Sequence, residues 1–234
     1  MRARFRNVLT ATALVAVTAG SASATLIDWQ NQVASGTANV FIDTNVTLPT
    51  TRNIGSLTGD KTYELIVNGS NAGVSSTLIG VRGAAPDQAI KFEQYNNTGR
   101  YGATLFGIVD LLYGTPTTFN QDVHLAFTVD SSANGGNGNL SLYVNGIFAE
   151  ALNTPQLIAL QGNVGVGSTW PTVSDPLTGT MHGIATYDSI MPDAEILAHA
   201  NAYFSTIIPE PSTFLVWSLL AALGIGWGWR RRKR

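Results

Sequence analysis

Apolar and polar residues alternate with period two through much of the middle of this chain. Tyr63, Leu65 and Val67 alternate with Glu64, Ile66 and Asn68. Leu125, Phe127 and Val129 alternate with His124, Ala126 and Thr128, and Leu140, Leu142 and Val144 with Ser141 and Tyr143. Side chains on a strand point to opposite faces in turn, so each run predicts a strand with one face on a core. Asn145-Gly146 joins Leu140–Val144 to Ile147–Glu150. Asn and Gly both tolerate positive φ, which makes this the strongest hairpin signal in the sequence. Further strands are expected at Thr77–Arg82, Ile90–Gln94, Gly102–Val109, Gly162–Gly167 and Gly183–Tyr187. Asp130 to Asn139 reads as a Gly/Asn loop.

The period changes once, near Asp193 to Phe204. Pro192 suits a first helical turn, and Asp193 and Glu195 favour the positive end of the helix dipole. Ile196, Leu197, Ala200, Tyr203 and Phe204 fall at i, i+1, i+4, i+7 and i+8, one apolar stripe. The fold class expected is therefore all-β: an antiparallel β-sandwich of jelly-roll type with one short C-terminal helix.

Both ends break from this pattern. Arg2, Arg4 and Arg6 precede an apolar run from Val8 to Ala19, then Ala22-Ser23-Ala24. A basic start, a short apolar stretch and a small-x-small site predict a signal peptide over 1–24, cut after Ala24. At the other end, Ser212 to Trp229 is 18 residues without a charge. As a helix it would rise about 27 Å, close to the hydrocarbon thickness of a bilayer. Arg230, Arg231, Arg232, Lys233 and Arg234 follow, and such a basic cluster stops transfer and stays cytoplasmic. A transmembrane helix over 212–229 is thus expected, with the domain of 25–206 outside the inner membrane.

Charge sharpens the picture. Of 13 Lys and Arg, 3 lie in the N-terminal segment and 5 in the C-terminal one. From Asp28 to Glu195 there are 14 acids against 5 bases, a net charge of −9. An acidic domain repels phosphate backbones, so no nucleic acid is expected as a partner. The sequence has 0 Cys, which removes disulfides, thiolate nucleophiles and Cys-based zinc from consideration.

Pro209-Glu210-Pro211, the apolar span and the Arg-rich end, in that order, resemble the PEP-CTERM sorting tail of Gram-negative bacteria. The resemblance covers Pro209 to Arg234 and defines a sorting signal over 207–234. It implies recognition by exosortase, a membrane-embedded cysteine protease or transpeptidase, with cleavage near the Pro-Glu-Pro. It also implies anchoring in the inner membrane before processing, then a place at the cell surface or in an exopolysaccharide-rich biofilm matrix. Proline disfavours helix at itself and at its predecessor, so the motif is held extended, as a protease substrate should be.

The order of segments in the middle resembles the laminin-G-like, concanavalin A-like jelly roll. Val123–Asp130, a loop, then Leu140–Ile147 is similar to that family's central hairpin, Asn163–Gly167 to its following strand, and Gly179–Tyr203 to its last strand and C-terminal helix.

Candidate chemistry is sparse, and no catalytic residue is assigned. His124, His182 and His199 show no metal-ligand spacing, and His124 in a strand reads as structural. No Gly-x-Ser-x-Gly elbow occurs. Glucanases of concanavalin-like fold share a Glu-x-Asp-x-x-Glu strand that places acid and nucleophile on one face. Here Glu64, Glu93, Glu150 and Glu195 stand alone and read as surface or loop-edge charges. Asp130-x-Ser132-x-Asn134-Gly135 opens like a Ca²⁺ loop but lacks the closing Glu, and reads as a solvated hairpin tip. Related jelly rolls often hold Ca²⁺ through scattered aspartates, so Asp110, Asp122 and Asp175 are the residues to follow for such an ion. Trp29, Trp170, Tyr95, Tyr101 and Tyr113 could stack on sugars or pack a core. Trp170, before Pro171 in a Gly/Ser loop, is the ligand-binding residue expected at the surface.

The expectation is an exported, exosortase-sorted envelope or matrix protein with a non-catalytic binding or structural β-sandwich, associated with exopolysaccharide or another glycan. The alternatives are an extracellular glycan-cleaving enzyme and a purely structural matrix component.

Overall fold

The computed structural model describes residues 21–95 and 97–204. Most of the expected signal peptide and the whole sorting tail, with its motif, span and basic end, lie outside them. Thirteen strands and two helices follow in the order α1 (Ser21–Ser35), β1 (Asn39–Val46), β2 (Thr50–Asn53), β3 (Lys61–Gly69), β4 (Ser76–Arg82), β5 (Gln88–Glu93), β6 (Arg100–Leu105), β7 (Val109–Pro116), β8 (Val123–Asp130), β9 (Asn139–Val144), β10 (Ile147–Asn153), β11 (Asn163–Val166), β12 (Trp170–Pro171), β13 (Gly179–Tyr187) and α2 (Asp193–Phe204). One sheet runs β1-β13-β3-β8-β9-β10, the other β2-β11-β4-β5-β6-β7, with β12 beside β4. Every pairing is antiparallel except that of β12 with β4.

The sandwich follows from the alternation. Tyr63, Leu65 and Val67 of β3 and Leu125, Phe127 and Val129 of β8 turn into the core between the sheets. From the other sheet Leu78, Ile90, Phe92, Tyr101 and Ala103 meet them. Burying an aliphatic or Phe side chain of this kind stabilises by roughly 1.5–3 kcal/mol. Asn145 (φ 52°) and Gly146 (φ 80°) make the β9–β10 turn, with positive φ at both positions as the dipeptide predicts.

Three expectations are corrected. Gly102–Val109 is not one strand: the chain turns between β6 and β7, where Gly107 has φ 76° and the Ile108 N–H donates to the Leu105 carbonyl at 2.9 Å. Phe106 and Ile108, apolar residues in that turn, extend the strand pattern misleadingly. A second helix, α1, precedes the sheets, with the Ala24–Thr25 bond in its first turn. In α2 the buried stripe is Ile196, His199, Ala200 and Tyr203, while Leu197 and Phe204 are exposed.

Both helices cover the outer face of the β1-to-β10 sheet. Trp29, Val33, Met191, Ile196 and Tyr203 pack there against Ile66, Ala126, Tyr143, Ala185 and Tyr187. Strands β3 and β8 are consequently buried on both faces. Among the described residues no helix is long and apolar enough to cross a membrane.

Candidate functional site

Among the described residues no helix covers the outer face of the other sheet, which carries a cleft of about 630 Å³. Its floor is built by alternation: where Ile90 and Phe92 of β5 enter the core, Lys91 between them faces outward, as does Thr104 of β6 between Ala103 and Leu105. Lys91 is only 1% exposed. Its Nζ donates to Asp175 Oδ2 at 2.5 Å and to Thr77 Oγ1 at 3.1 Å. Burial pulls the Lys91 pKa below the ordinary lysine value, against the opposing pull of Asp175. Gln94 Nε2 donates to Thr104 Oγ1 at 3.1 Å, and Thr104 Oγ1 donates to Asp110 Oδ1 at 2.8 Å. Gly102 leaves room for this arrangement, because a Cβ there would lie 2.5 Å from Gln94 Cβ. The rim is apolar and aromatic. Tyr95 is 63% exposed at φ 61°, and Ile108 is exposed in the β6–β7 turn. Arg82 Cζ and Lys91 Nζ lie 4.8 and 5.5 Å from the Phe106 ring centroid, within cation–π range.

This arrangement can hold a small polar ligand: a row of fixed hydrogen-bonding groups beside an exposed aromatic ring. Of the aromatic residues weighed for stacking, Tyr95 lines the cleft, while Tyr101 and Tyr113 are buried in the core and Trp29 under α1. Trp170 is half-buried in β12, in register with Val81 and next to the Pro171–Arg82 pair, and does not line the cleft. Lys91, Gln94 and Thr104 escaped the sequence reading. Their signal was present as polar residues alternating inside buried strands, but the uncovered face could not be told from the covered one.

A second polar cluster lies beneath the helices. Glu64 is 0% exposed, which corrects its reading as a surface charge. Four donors converge on its carboxylate. Trp29 Nε1 (3.0 Å) and His124 Nε2 (2.7 Å) donate to Oε1, and Tyr187 OH (2.7 Å) and His199 Nδ1 (3.0 Å) to Oε2. Burial alone would raise its pKa; the hydrogen bonds and charges of His124 and His199 outweigh burial and hold it well below the carboxylate range. Glu93 is also buried, accepting from Gly99 N at 3.1 Å. Glu195 accepts from the Thr37 N–H and hydroxyl, tying the end of α1 to α2, and Glu150 accepts from Gly114 N. His124 is fully buried in β8, with Nε2 on Glu64. The Glu64 cluster is closed to solvent and fastens the helices to the sheet.

The aspartates considered for Ca²⁺ are dispersed. Asp122 accepts from Tyr203 OH (2.7 Å) and Asn68 Nδ2 (3.0 Å) on the helix-covered side, while Asp110 and Asp175 share the cleft. Asp130 accepts from Ser132 N, Ser132 Oγ and Ala133 N, so its carboxylate closes its own loop. Among the described residues no three His, Asp or Glu gather as metal ligands.

Residues 208–233 match the PEP-CTERM protein-sorting motif. No curated protein matches the chain. Among solved structures, the fold is similar to the CBM40 of the Ruminococcus gnavus IT-sialidase bound to alpha2,3 sialyllactose, with 16% identity and a TM-score of 0.52 over 69% of this chain and 98% of that one. The same module bound to alpha2,6 sialyllactose gives 16% identity and 0.52, over 70% and 100%. A mutant of the NanB sialidase from Streptococcus pneumoniae gives 15% and 0.51, over 68% of this chain and 28% of that one. The chain is thus a β-sandwich similar to carbohydrate-binding modules and carries a PEP-CTERM motif.

Proposed function

We propose that this is an exported, exosortase-sorted envelope protein whose sandwich binds glycan in the cleft over β4 to β7. The observation that carries the reading is the pairing of an ordered polar floor, Lys91, Gln94, Thr104 and Asp110, with the exposed ring of Tyr95. Sugars present hydroxyls at their edges and C–H groups on their faces, and this cleft answers both. The likeness to carbohydrate-binding modules supports it as a likeness of fold. In this reading the signal peptide is removed after Ala24, Ser212–Trp229 holds the chain in the inner membrane, and exosortase acts near Pro209-Glu210-Pro211.

Asp110 and Asp175 share one cleft, which is the observation nearest to a glycan-cleaving enzyme. Glycoside hydrolysis needs two carboxyl groups free to act on the bond. Asp175 is paired to Lys91 and Asp110 has one oxygen engaged by Thr104, so binding without cleavage is the better reading. The test is a glycan array probed with the full chain in detergent, beside Tyr95→Ala and Asp110→Ala. Each substitution should weaken the array signal roughly tenfold. Undiminished binding by both variants would move the site elsewhere. Release of reducing sugar by the wild type would favour the enzyme, and binding to no glycan the structural matrix component.

A further inference from the structure

Two cations and two carboxylates share the cleft: Arg82, Lys91, Asp110 and Asp175. Their formal charges cancel. Lys91 is committed to Asp175 and Thr77. Arg82 rests on the Phe106 ring, with no ion pair among the described residues. It is the one charge here that could draw in an acidic sugar, and both Asp110 and Asp175 oppose it. What remains open to a ligand is of a different kind. Asp110 Oδ2 has no hydrogen-bond partner among the described residues, and Tyr95 and Ile108 offer apolar surface. A carboxylate oxygen accepts from hydroxyls and repels other carboxylates. The 14 acids against 5 bases between Asp28 and Glu195 act the same way at longer range, since a like-charged surface disfavours the approach of a polyanion.

We infer that the cleft takes an uncharged, hydroxyl-rich sugar and discriminates against sugars that carry a carboxylate; the inference rests on the glycan-binding reading above. Asp110 then accepts from sugar hydroxyls, Tyr95 covers a C–H face, and Asp175 sets the selectivity by neutralising Lys91. The ligand class is the opposite of the acidic sialyllactose held by the Ruminococcus gnavus module.

The experiment is calorimetric titration of the full chain in detergent with two probe sets. Neutral probes are cello-, laminari-, xylo-, manno- and malto-oligosaccharides; acidic probes are sialyllactose, oligogalacturonate and oligoalginate. Neutral probes should bind at least about tenfold tighter, with affinity changing less than about twofold between low salt and about 0.3 M NaCl, since no net charge is there to be screened. Asp175→Asn should raise affinity for the acidic probes about tenfold, in a salt-sensitive way, by removing the negative charge that neutralises Lys91. The wild-type comparison stands by itself should that variant fail to fold. Equal or tighter binding of the acidic probes by wild type overturns the inference and leaves the glycan reading intact. Binding of no probe in either set overturns the glycan reading with it.

Discussion

Replacing Glu64 by Leu removes the acceptor for Trp29, His124, Tyr187 and His199 at once. The site is fully buried, so water cannot take over, and an orphaned buried donor costs roughly 1–3 kcal/mol. His124 and Tyr187 come from the sheet, Trp29 from α1 and His199 from α2, so partial relaxation must move the helices. A net loss of roughly 3–5 kcal/mol follows, the usual cost of breaking a buried charged network from one side. For a domain of this size that lowers Tm by roughly 6–20 °C. Glu64→Gln should cost less. Its oxygen can keep Trp29 and His124, and its amide can donate to Tyr187 and to a His199 of the other tautomer. The two proteins should also differ with pH. The Glu64 pKa is depressed in the fold, so its contribution is complete above the unfolded glutamate value of about 4.3 and is lost as pH falls below it. The advantage of wild type over Glu64→Gln should shrink by up to about 1.4 kcal/mol per pH unit in that acidic range. Urea denaturation followed by tryptophan fluorescence at pH 7 and across the acidic range measures both. A Glu64→Leu protein within about 1 kcal/mol of wild type would refute the account of how the helices are held.

Further outcomes follow from other positions. Gly183→Ala would place Cβ 2.5 Å from Trp29 Cζ3, and a rigid indole cannot yield; a loss of roughly 1–3 kcal/mol and a shifted tryptophan emission are expected by denaturation. Glu210→Gln removes the only Asp, Glu, Lys or Arg between Glu195 and Arg230, and the full-length chain should accumulate in the inner membrane while wild type loses its tail. Fractionation in the native host checks this, and trimming like wild type would reduce Ser212–Trp229 to a simple anchor. N-terminal sequencing of the exported protein should begin at Thr25, and an intact Met1 would contradict the signal peptide.

The β9–β10 hairpin and α2 were legible because their signals are local: an Asn-Gly turn, a proline start and acids in the first turn. β1, β2 and α1 were not. The α1 sequence is disguised by the small residues of the cleavage site, and its partner surface on β13 and β3 is remote in sequence. Glu64 shows the limit most clearly. Alternation correctly sends it away from the core between the sheets, yet that outer face is itself covered, and nothing local to Tyr63–Val67 announces the Trp29, His124, Tyr187 and His199 that meet it. The cleft was hidden for the converse reason. Lys91 and Thr104 alternate as any solvent-facing residues would, and only the folding of the β6–β7 turn and the Asp175 loop around them makes a site.

The helices and the cleft occupy opposite faces of the sandwich, and the chain leaves the described domain at Phe204, on the helix side. Only residues 205–211 stand between that point and the apolar span, a tether of at most about 25 Å. On the reading proposed above, copies anchored by such short tethers would be held within that distance of one surface, each with its cleft on the face opposite its helices. Many sites held near one surface grip a repeating polymer far harder than one site can, because each engagement raises the local concentration for the next. Cutting the leash would then lower the grip of the population without altering a single contact in the cleft.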